Sequence, residues 1–86
     1  MVKFFKFDEN ALVTMFGNFG DINSFVITIA NVRHITRGLH GVTLFDNKGN
    51  KYSFECNEKT RFIVDGIENK ELNNAYNELY KEMEEL

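Results

Sequence analysis

The sequence predicts a small α+β domain in which a curved antiparallel sheet of four to six strands packs against one C-terminal amphipathic helix. Two observations support this prediction. Apolar and polar residues alternate with a period of two on both sides of a turn signal in residues 41–56, as half-buried strands require. Near the C-terminus the apolar residues instead follow spacings of three and four, which are typical of a helix that buries one face. At 86 residues the chain is long enough for one domain with a single core, residues 1–86.

The N-terminal part of the chain permits two interpretations. Residues 2–7 alternate and predict an edge strand whose lysines protect it from further pairing. Asp8 then suits the N-cap of a short helix over residues 9–16, which Gly17 would end at a left-handed position. Because they include β-branched residues, residues 11–16 equally suit a strand that turns at residues 17–18. Both interpretations stay open at this point.

Residues 16–20 are predicted to form a loop in which Phe16 and Phe19 lie beside glycines. In one interpretation both rings anchor the loop to the core, since buried aromatic residues are common. In the other they are exposed as a contact site for a partner, because binding residues concentrate on loops.

The middle of the chain is rich in strand signals. Residues 24–30 predict a central strand, because both of its faces are largely apolar. Asn31 predicts a break, after which residues 32–36 suit a further short strand. The hairpin in residues 41–56 follows, and its turn suits a type I turn closed by Gly49 with positive φ.

Residues 62–64 predict a last short strand, and an amphipathic helix follows in residues 68–86. Its apolar stripe consists of Leu72, Tyr76, Leu79, Met83 and Leu86. We expect the first three to pack on the sheet, which needs a cover for its apolar face. Glutamates crowd the C-terminal end, where the helix macrodipole disfavours negative charge. We therefore expect Met83 and Leu86 to be loosely held and available for association.

The composition of the chain limits the cellular compartments and the classes of partner that we expect. The net charge is −3, with residues 1–56 at +1 and residues 57–86 at −4. This acidity argues against nucleic acid as a partner. No apolar run approaches the length of a membrane span and the N-terminus lacks the pattern of a signal peptide, so we expect a cytoplasmic protein without a membrane anchor. The absence of proline and the abundance of asparagine suit an AT-rich bacterial or phage genome.

Motifs for catalysis or metal binding are absent from the sequence. The single cysteine, Cys56, has no zinc or redox spacing around it, and there is no glycine-rich phosphate loop. A nucleophile pair of Cys56 with His34 or His40 would require the fold to bring the two side chains into contact. Because Cys56 shares a strand face with Phe54, we expect a buried and inert thiol. We expect no enzyme activity, no metal and no cofactor.

One basic cluster contains Arg33, His34, Arg37 and His40. On a regular strand Arg33 and Arg37 share a face, from which two guanidinium groups can grip a phosphate or a carboxylate. We therefore expect both arginines to be solvent-accessible. The cluster supports an alternative function, that of an anion-, ligand- or nucleic-acid-binding domain.

Residues 27–35, the hairpin and the helix over residues 72–86 together resemble the second half of a pleckstrin-homology-like domain, in particular the small bacterial members. The resemblance extends over about two-thirds of the chain and implies a binding scaffold, in which the helix closes one end of a bent sheet or barrel. It implies no ligand residues, because the basic loop with which eukaryotic members bind lipid has no counterpart here.

The function that the sequence favours is a small non-catalytic protein-interaction module. We expect an adaptor or inhibitor from a bacterium or a phage mobile element that masks the surface of a partner. The expected partner is another protein or a second copy of the chain. Besides the basic cluster, the candidate contact residues are Phe16, Phe19, Met83 and Leu86.

Overall fold

The computed structural model describes residues 1–19 and 23–85. In chain order its elements are β1 (Lys3–Phe19), β2 (Asn23–Arg37), β3 (Gly41–Asp46), β4 (Lys51–Glu55), β5 (Arg61–Val64), β6 (Ile67–Glu68) and α1 (Lys70–Glu84). The strands form one antiparallel sheet in the order β4-β3-β2-β1-β5-β6, which does not close into a barrel. The helix packs across this sheet, so the predicted α+β fold is confirmed.

The two longest strands, β1 and β2, form a bent ribbon that serves both halves of the sheet. Their pairing is interrupted between Lys6 and Ala11, where β1 contains more residues than β2. A second register shift follows between Ala11 and Val13, where β2 contains the extra residue, and within it Asn31 takes a φ of 59°. Such irregularities bend and twist a ribbon. On one side of the bend β2 pairs with β3, and on the other side β1 pairs with β5.

The core lies on one face of the bent sheet, here called the inner face, which α1 covers. Its buried side chains come from β1, β2, β3, β5, α1 and the segment after β4: Ala11, Val13, Met15, Val32, Ile35, Val42, Leu44, Cys56, Phe62 and Leu72. Half-buried aromatic residues extend this cluster at its margin: Phe5, Phe7, Phe25, Tyr52 and Phe54. The opposite face, here called the open face, is not covered by the helix.

The interpretation of residues 9–16 as a short helix is wrong, and the strand alternative is confirmed. This stretch belongs to β1, and Thr14 pairs with Thr28 on one side and with Ile63 on the other. Hydrogen bonding to two neighbouring strands outweighs the local N-cap signal of Asp8, because strand formation depends strongly on tertiary context.

The prediction of a loop in residues 16–20 is also wrong for residues 16–19, the part that the structure describes. The strand β1 continues to Phe19, while Gly20 lies outside the described residues. Gly17 allows a close approach inside the sheet, since a Cβ there would lie 3.3 Å from Thr60 Cα. The glycine therefore marks tight packing of β1 against the segment before β5, and no helix stop or turn.

Residues 24–30 and 32–36 form one strand, β2, where two were predicted. The predicted break at Asn31 is accommodated as a left-handed residue within the strand. From Val32 onwards β2 is central, because it lies between β1 and β3. The prediction that residues 24–30 form a central strand is wrong, because within the described part of the chain β1 is their one partner strand.

The predicted hairpin is confirmed as β3 and β4, and Gly49 has a φ of 85°. One side chain, Asp46, organises the turn. Its carboxylate accepts hydrogen bonds from the Lys48 N–H (2.9 Å) and from the backbone and side chain of Asn50 (2.8 and 2.9 Å). It also accepts one from the Tyr52 hydroxyl (3.3 Å). These hydrogen bonds hold the pKa of Asp46 below its usual value, and the bond from the Asn50 side chain has the largest effect.

The last predicted strand is present as β5, and a two-residue strand that was not predicted, β6, follows it. Asp65 and Gly66 link them with φ values of 50° and 82°, as expected for a tight hairpin turn. The Asp65 carboxylate also accepts a hydrogen bond from the Leu12 N–H (2.8 Å), which ties this turn to β1. The helix then begins after Asn69, whose side chain accepts from the Leu72 N–H.

The predicted packing of the helix stripe holds for Leu72 and Leu79, which are buried, and for Tyr76, which is half-buried. Met83 is 44% exposed, and Leu86 lies outside the described residues. Besides Lys81 in the last turn of the helix, a lysine from the sheet offsets the charge of the C-terminal glutamates. Lys3 in β1 lies 3.0 Å from the carboxylate of Glu78 and 3.6 Å from that of Glu82, and its hydrogen bond to Glu78 raises its pKa.

Two glycines in the β3–β4 hairpin provide a matched test of the turn. A Cβ on Gly49 would meet nothing within 4 Å, so only its positive φ opposes a side chain. We expect Gly49→Ala to lower the free energy of unfolding by about 1 kcal/mol and Gly49→Val by more, whereas Gly41→Ala should change it by less than about 0.5 kcal/mol. Urea unfolding of the three variants measures this, and equal stability of Gly49→Val and the parent would contradict the assigned turn.

Candidate functional site

Two rows of side chains cross the open face of strands β1 to β4. The pairing of the strands places Phe4, Thr36, Thr43 and Ser53 in one row, and Lys6, His34, Phe45 and Lys51 in the other. Thr43 and Ser53 share a hydrogen bond of 3.0 Å within the first row. Cross-strand pairs of this kind fix the relative positions of side chains on a sheet face.

Three rings from these rows form a stack, which we call the ring stack: Phe4, His34 and Phe45. The His34 and Phe45 centroids lie 4.1 Å apart with planes inclined by 14°, and the Phe4 and His34 centroids lie 5.9 Å apart. Lys51 Nζ lies 5.7 Å from the Phe45 centroid, within the range of a cation–π contact. Phe4 nevertheless remains 61% exposed.

Three basic side chains lie beside the ring stack. Lys6 and Lys51 belong to the same row as His34, and Arg33 is exposed next to it on β2. Neither row contains an acidic side chain, although the chain as a whole has a net charge of −3. The solvent-facing side of a sheet usually carries polar side chains. A cluster of aromatic rings bordered by basic residues is therefore unusual on this face.

The prediction that Arg37 is solvent-accessible is wrong. Its side chain is fully buried, and its guanidinium donates hydrogen bonds to the Gly38 carbonyl and to the Asn57 carbonyl, the latter at 2.9 Å. The guanidinium carbon lies 5.9 Å from the ring centroids of both Phe62 and Tyr76. Burial lowers the pKa of this arginine. Arg37 therefore links the end of β2 to β5, α1 and the segment that follows β4.

A bulge explains why Arg33 and Arg37 do not share a face. The register of β2 against β3 shifts between Val32 and His34, which adds a residue to β2. Arg33 is thereby exposed, while Ile35 and Arg37 point to the core. The two guanidinium groups cannot act together on one anion as predicted.

The remaining predicted contact residues are scattered. His34 joins the ring stack, whereas His40 is exposed in the connection before β3. Phe16 is half-buried in β1, and the side chain of Phe19 lies outside what the structure describes. Met83 lies at the far end of α1.

Phe4 and Phe45 were missed as candidate site residues. The alternation of residues 2–7 places Phe4 opposite Phe5 and could have indicated an exposed ring. The position of Phe45 beside His34 depends on strand register, which local sequence does not give.

Cys56 is buried, at 4% exposed, as predicted. It belongs to the core, while His34 lies in the ring stack on the open face, so the two do not form a nucleophile pair. His40 contributes its backbone carbonyl, which accepts a 3.0 Å hydrogen bond from the Cys56 N–H. Burial raises the pKa of the thiol, which disfavours the reactive thiolate.

Several grooves lie on the described surface of the protein. One of about 600 Å³ lies between the start of β1 and the start of α1, and half-buried Phe5 and Phe7 form part of its wall. Its polar margin consists of Lys6, Glu68, Asn69, Lys70 and Glu71, none of which is a serine, cysteine or histidine. Among the described residues, no group of three or more histidine, cysteine or acidic side chains is placed to hold a metal ion.

Comparison with known protein families, with curated proteins and with solved structures finds no match for this chain. Over residues 1–19 and 23–85, the structure contains no helix that is long and apolar enough to cross a membrane.

Arg37 and Arg33 allow a direct comparison of a buried and an exposed arginine. We expect Arg37→Ala to lower the free energy of unfolding by about 3 kcal/mol, because it opens a cavity beside Phe62 and removes the donor to the Asn57 carbonyl. Arg37→Met should cost less because it fills more of that space, and Arg33→Ala should cost less than about 0.5 kcal/mol. Urea denaturation measures all three, and a similar cost for both alanine variants would contradict the structural role of Arg37.

The burial of Cys56 predicts slow modification. We expect a thiol reagent to label the folded protein far more slowly than the urea-unfolded chain, because the thiol is both covered and protonated. Labelling of the native protein at the rate of the unfolded chain would show that the thiol is accessible.

The raised pKa of Cys56 also has a defined effect on stability. A thiol that ionises less readily in the folded protein contributes stability that is complete below its unfolded pKa of about 9 and is lost as the pH rises through the folded pKa. We expect the melting temperature to fall above pH 9, and to fall less in Cys56→Ala. The same slope in both proteins would assign the loss to other groups, such as Tyr52, whose pKa burial also raises.

Proposed function

We propose that this chain is a non-catalytic protein-binding module that holds its partner on the open face of strands β1 to β4. The observation that supports this proposal is the ring stack, because it places an aromatic surface in solvent on the side of the sheet that α1 leaves uncovered. Phe4, at 61% exposed, is its most accessible member. Aromatic residues held in a rigid position are frequent anchors of protein interfaces.

The charges around the ring stack define the chemistry of the partner. Lys6, Lys51 and Arg33 favour a protein surface with an apolar centre and carboxylates at its margin. Their charges would steer such a partner to this face, although the rest of the chain is acidic.

A nucleic acid fits the ring stack less well than a protein does. Bases bind to sheets by lying flat on exposed ring faces. Here the faces of His34 and Phe45 are stacked on each other at 4.1 Å, which leaves no space for a base between them. Lys51 occupies a position over the Phe45 ring.

The alternative of an anion- or ligand-binding domain loses its main argument because Arg37 is buried. A one-sided contact surface suits an adaptor or an inhibitor that masks its partner, acting in the cytoplasm of a bacterium or on behalf of a phage. The resemblance to pleckstrin-homology-like domains implies the same kind of role, that of a scaffold for binding.

The test is capture of the partner with a matched pair of variants. Tagged parent, Phe4→Ala and Ile67→Ala proteins are incubated with nuclease-treated lysate of the source cells, and captured proteins are identified and quantified. Phe4 and Ile67 are similarly exposed apolar residues, at 61% and 74%, but Ile67 lies in β6, away from the ring stack. We expect the parent and Ile67→Ala to retain one stoichiometric protein, and Phe4→Ala to lose on the order of nine-tenths of it.

Two results would overturn the proposal. One is that Phe4→Ala captures as much of the protein as the parent does. The other is that no stoichiometric protein is captured and nucleic acid co-purifies when nuclease is omitted, which would favour the alternative function.

A further inference from the structure

The first half of β2 has an unpaired edge. Residues 26–29 pair with β1 on one side, Ala30 lies at the register shift that follows, and β3 joins the other side of β2 only from Val32 onwards. Within the part of the chain that the structure describes, no strand pairs with the outer edge of residues 26–30. Backbone N–H and C=O groups on such an edge are available to another strand.

The other exposed edges of the sheet are protected in the usual ways. β4 carries Lys51 and Glu55, and β6 contains only two residues. The first part of β1 carries Lys3 and Lys6, and Lys3 is held by Glu78 of the adjacent helix. Charged residues and short strands are what natural sheets use to prevent further pairing.

Residues 26–30 carry none of these protections themselves, although the β3–β4 turn with Asp46 and Lys48 lies across a groove of about 350 Å³ from residues 28–31. Residues 22–32 contain no charged residue and no proline. On the open face Val26 is 72% exposed, and Thr28 and Ala30 are exposed beside it. On the inner face Ile27 and Ile29 are half-buried against the core. An uncharged segment that is rich in β-branched residues has a high tendency to pair with its own sequence.

We propose that residues 26–30 pair antiparallel with the same residues of a second copy of this chain, about a two-fold axis at Thr28. This register sets Val26 of one copy opposite Ala30 of the other, and Ile27 opposite Ile29. Each pair therefore lies on one face of the joined sheet, and no pair brings together two residues larger than isoleucine. Thr28 lies opposite itself, where two hydroxyls can hydrogen-bond as Thr14 and Thr28 do within the chain at 3.1 Å. The two six-stranded sheets become one continuous sheet across the axis.

A second copy fits this edge better than an unrelated strand does. The segment has no charge to select a foreign partner, and an uncharged segment brings no like charges together when it meets itself. The net negative charge of the chain lies in residues 57–86, which do not include the pairing segment. This inference does not depend on the proposed function, because it uses a strand edge remote in register from the ring stack.

The first measurement is the mass of the purified full chain in solution as a function of its concentration, by analytical ultracentrifugation. We expect a reversible monomer–dimer equilibrium. Val26→Lys should weaken dimerisation by on the order of tenfold or more, because an edge lysine opposes pairing. Ile67→Lys is the matched control, an equally exposed β-branched residue on the opposite edge of the sheet, and should dimerise like the parent. Phe4→Ala should also dimerise like the parent, which separates this inference from the proposed function.

The second measurement tests the register and does not depend on the behaviour of the lysine variants. Thr28→Cys, made together with Cys56→Ala, should form a disulfide-linked dimer on mild oxidation, because antiparallel residues at a two-fold axis lie within disulfide range. Asn74→Cys in the same background, an exposed position on α1, should not do so efficiently.

Three results would overturn the inference. The parent could remain monomeric over the whole concentration range. Ile67→Lys could abolish the dimer while Val26→Lys does not, which would place the contact on β6. Finally, Thr28→Cys could cross-link no more than Asn74→Cys does.

Discussion

The bend in the β1–β2 ribbon is the constraint on which the rest of the structure depends. At the bend each long strand changes its outer neighbour, so the β3–β4 hairpin joins one half of the sheet and the β5–β6 hairpin joins the other. The inner faces of the two halves then enclose one core, and a single helix is enough to cover it. Both surfaces proposed for binding follow from this arrangement. The open face of β1 to β4 lies opposite the helix, and the β2 edge is left unpaired where the ribbon leaves β3.

The parts of the fold that could be predicted are those whose signal is local. The β3–β4 turn is determined by Asp46 and Gly49 themselves, and the helix by the spacing of its own apolar stripe. The course of β1 could not be predicted in this way. Asp8 has the local features of an N-cap, but the strand beyond it is stabilised by β2 and β5, which are distant in sequence. Only the tertiary pairing decides between the two interpretations.

The candidate site was less predictable than the fold, because a one-residue bulge changes which side of the sheet a side chain faces. Alternation predicts which side a strand residue faces only while the register is regular, and one bulge before His34 separates the sides of Arg33 and Arg37. The ring stack escaped prediction because Phe4 and Phe45 come together only through strand pairing. The burial of Cys56, in contrast, was predictable because the alternation of β4 is not interrupted by a bulge and continues to Cys56, the residue after the strand.

The contact between β1 and β5 has a consequence for the order in which the protein folds. The hydrogen bond between Leu12 and Asp65 spans 53 residues, whereas the β3–β4 and β5–β6 hairpins close through short turns. Hairpins form within microseconds, but a contact across such a long segment must wait for a costly loop closure. Docking of β5 on β1 should therefore be a late step that limits the folding rate. On the ribosome, the apolar middle of β1 emerges well before its second partner strand has been synthesised.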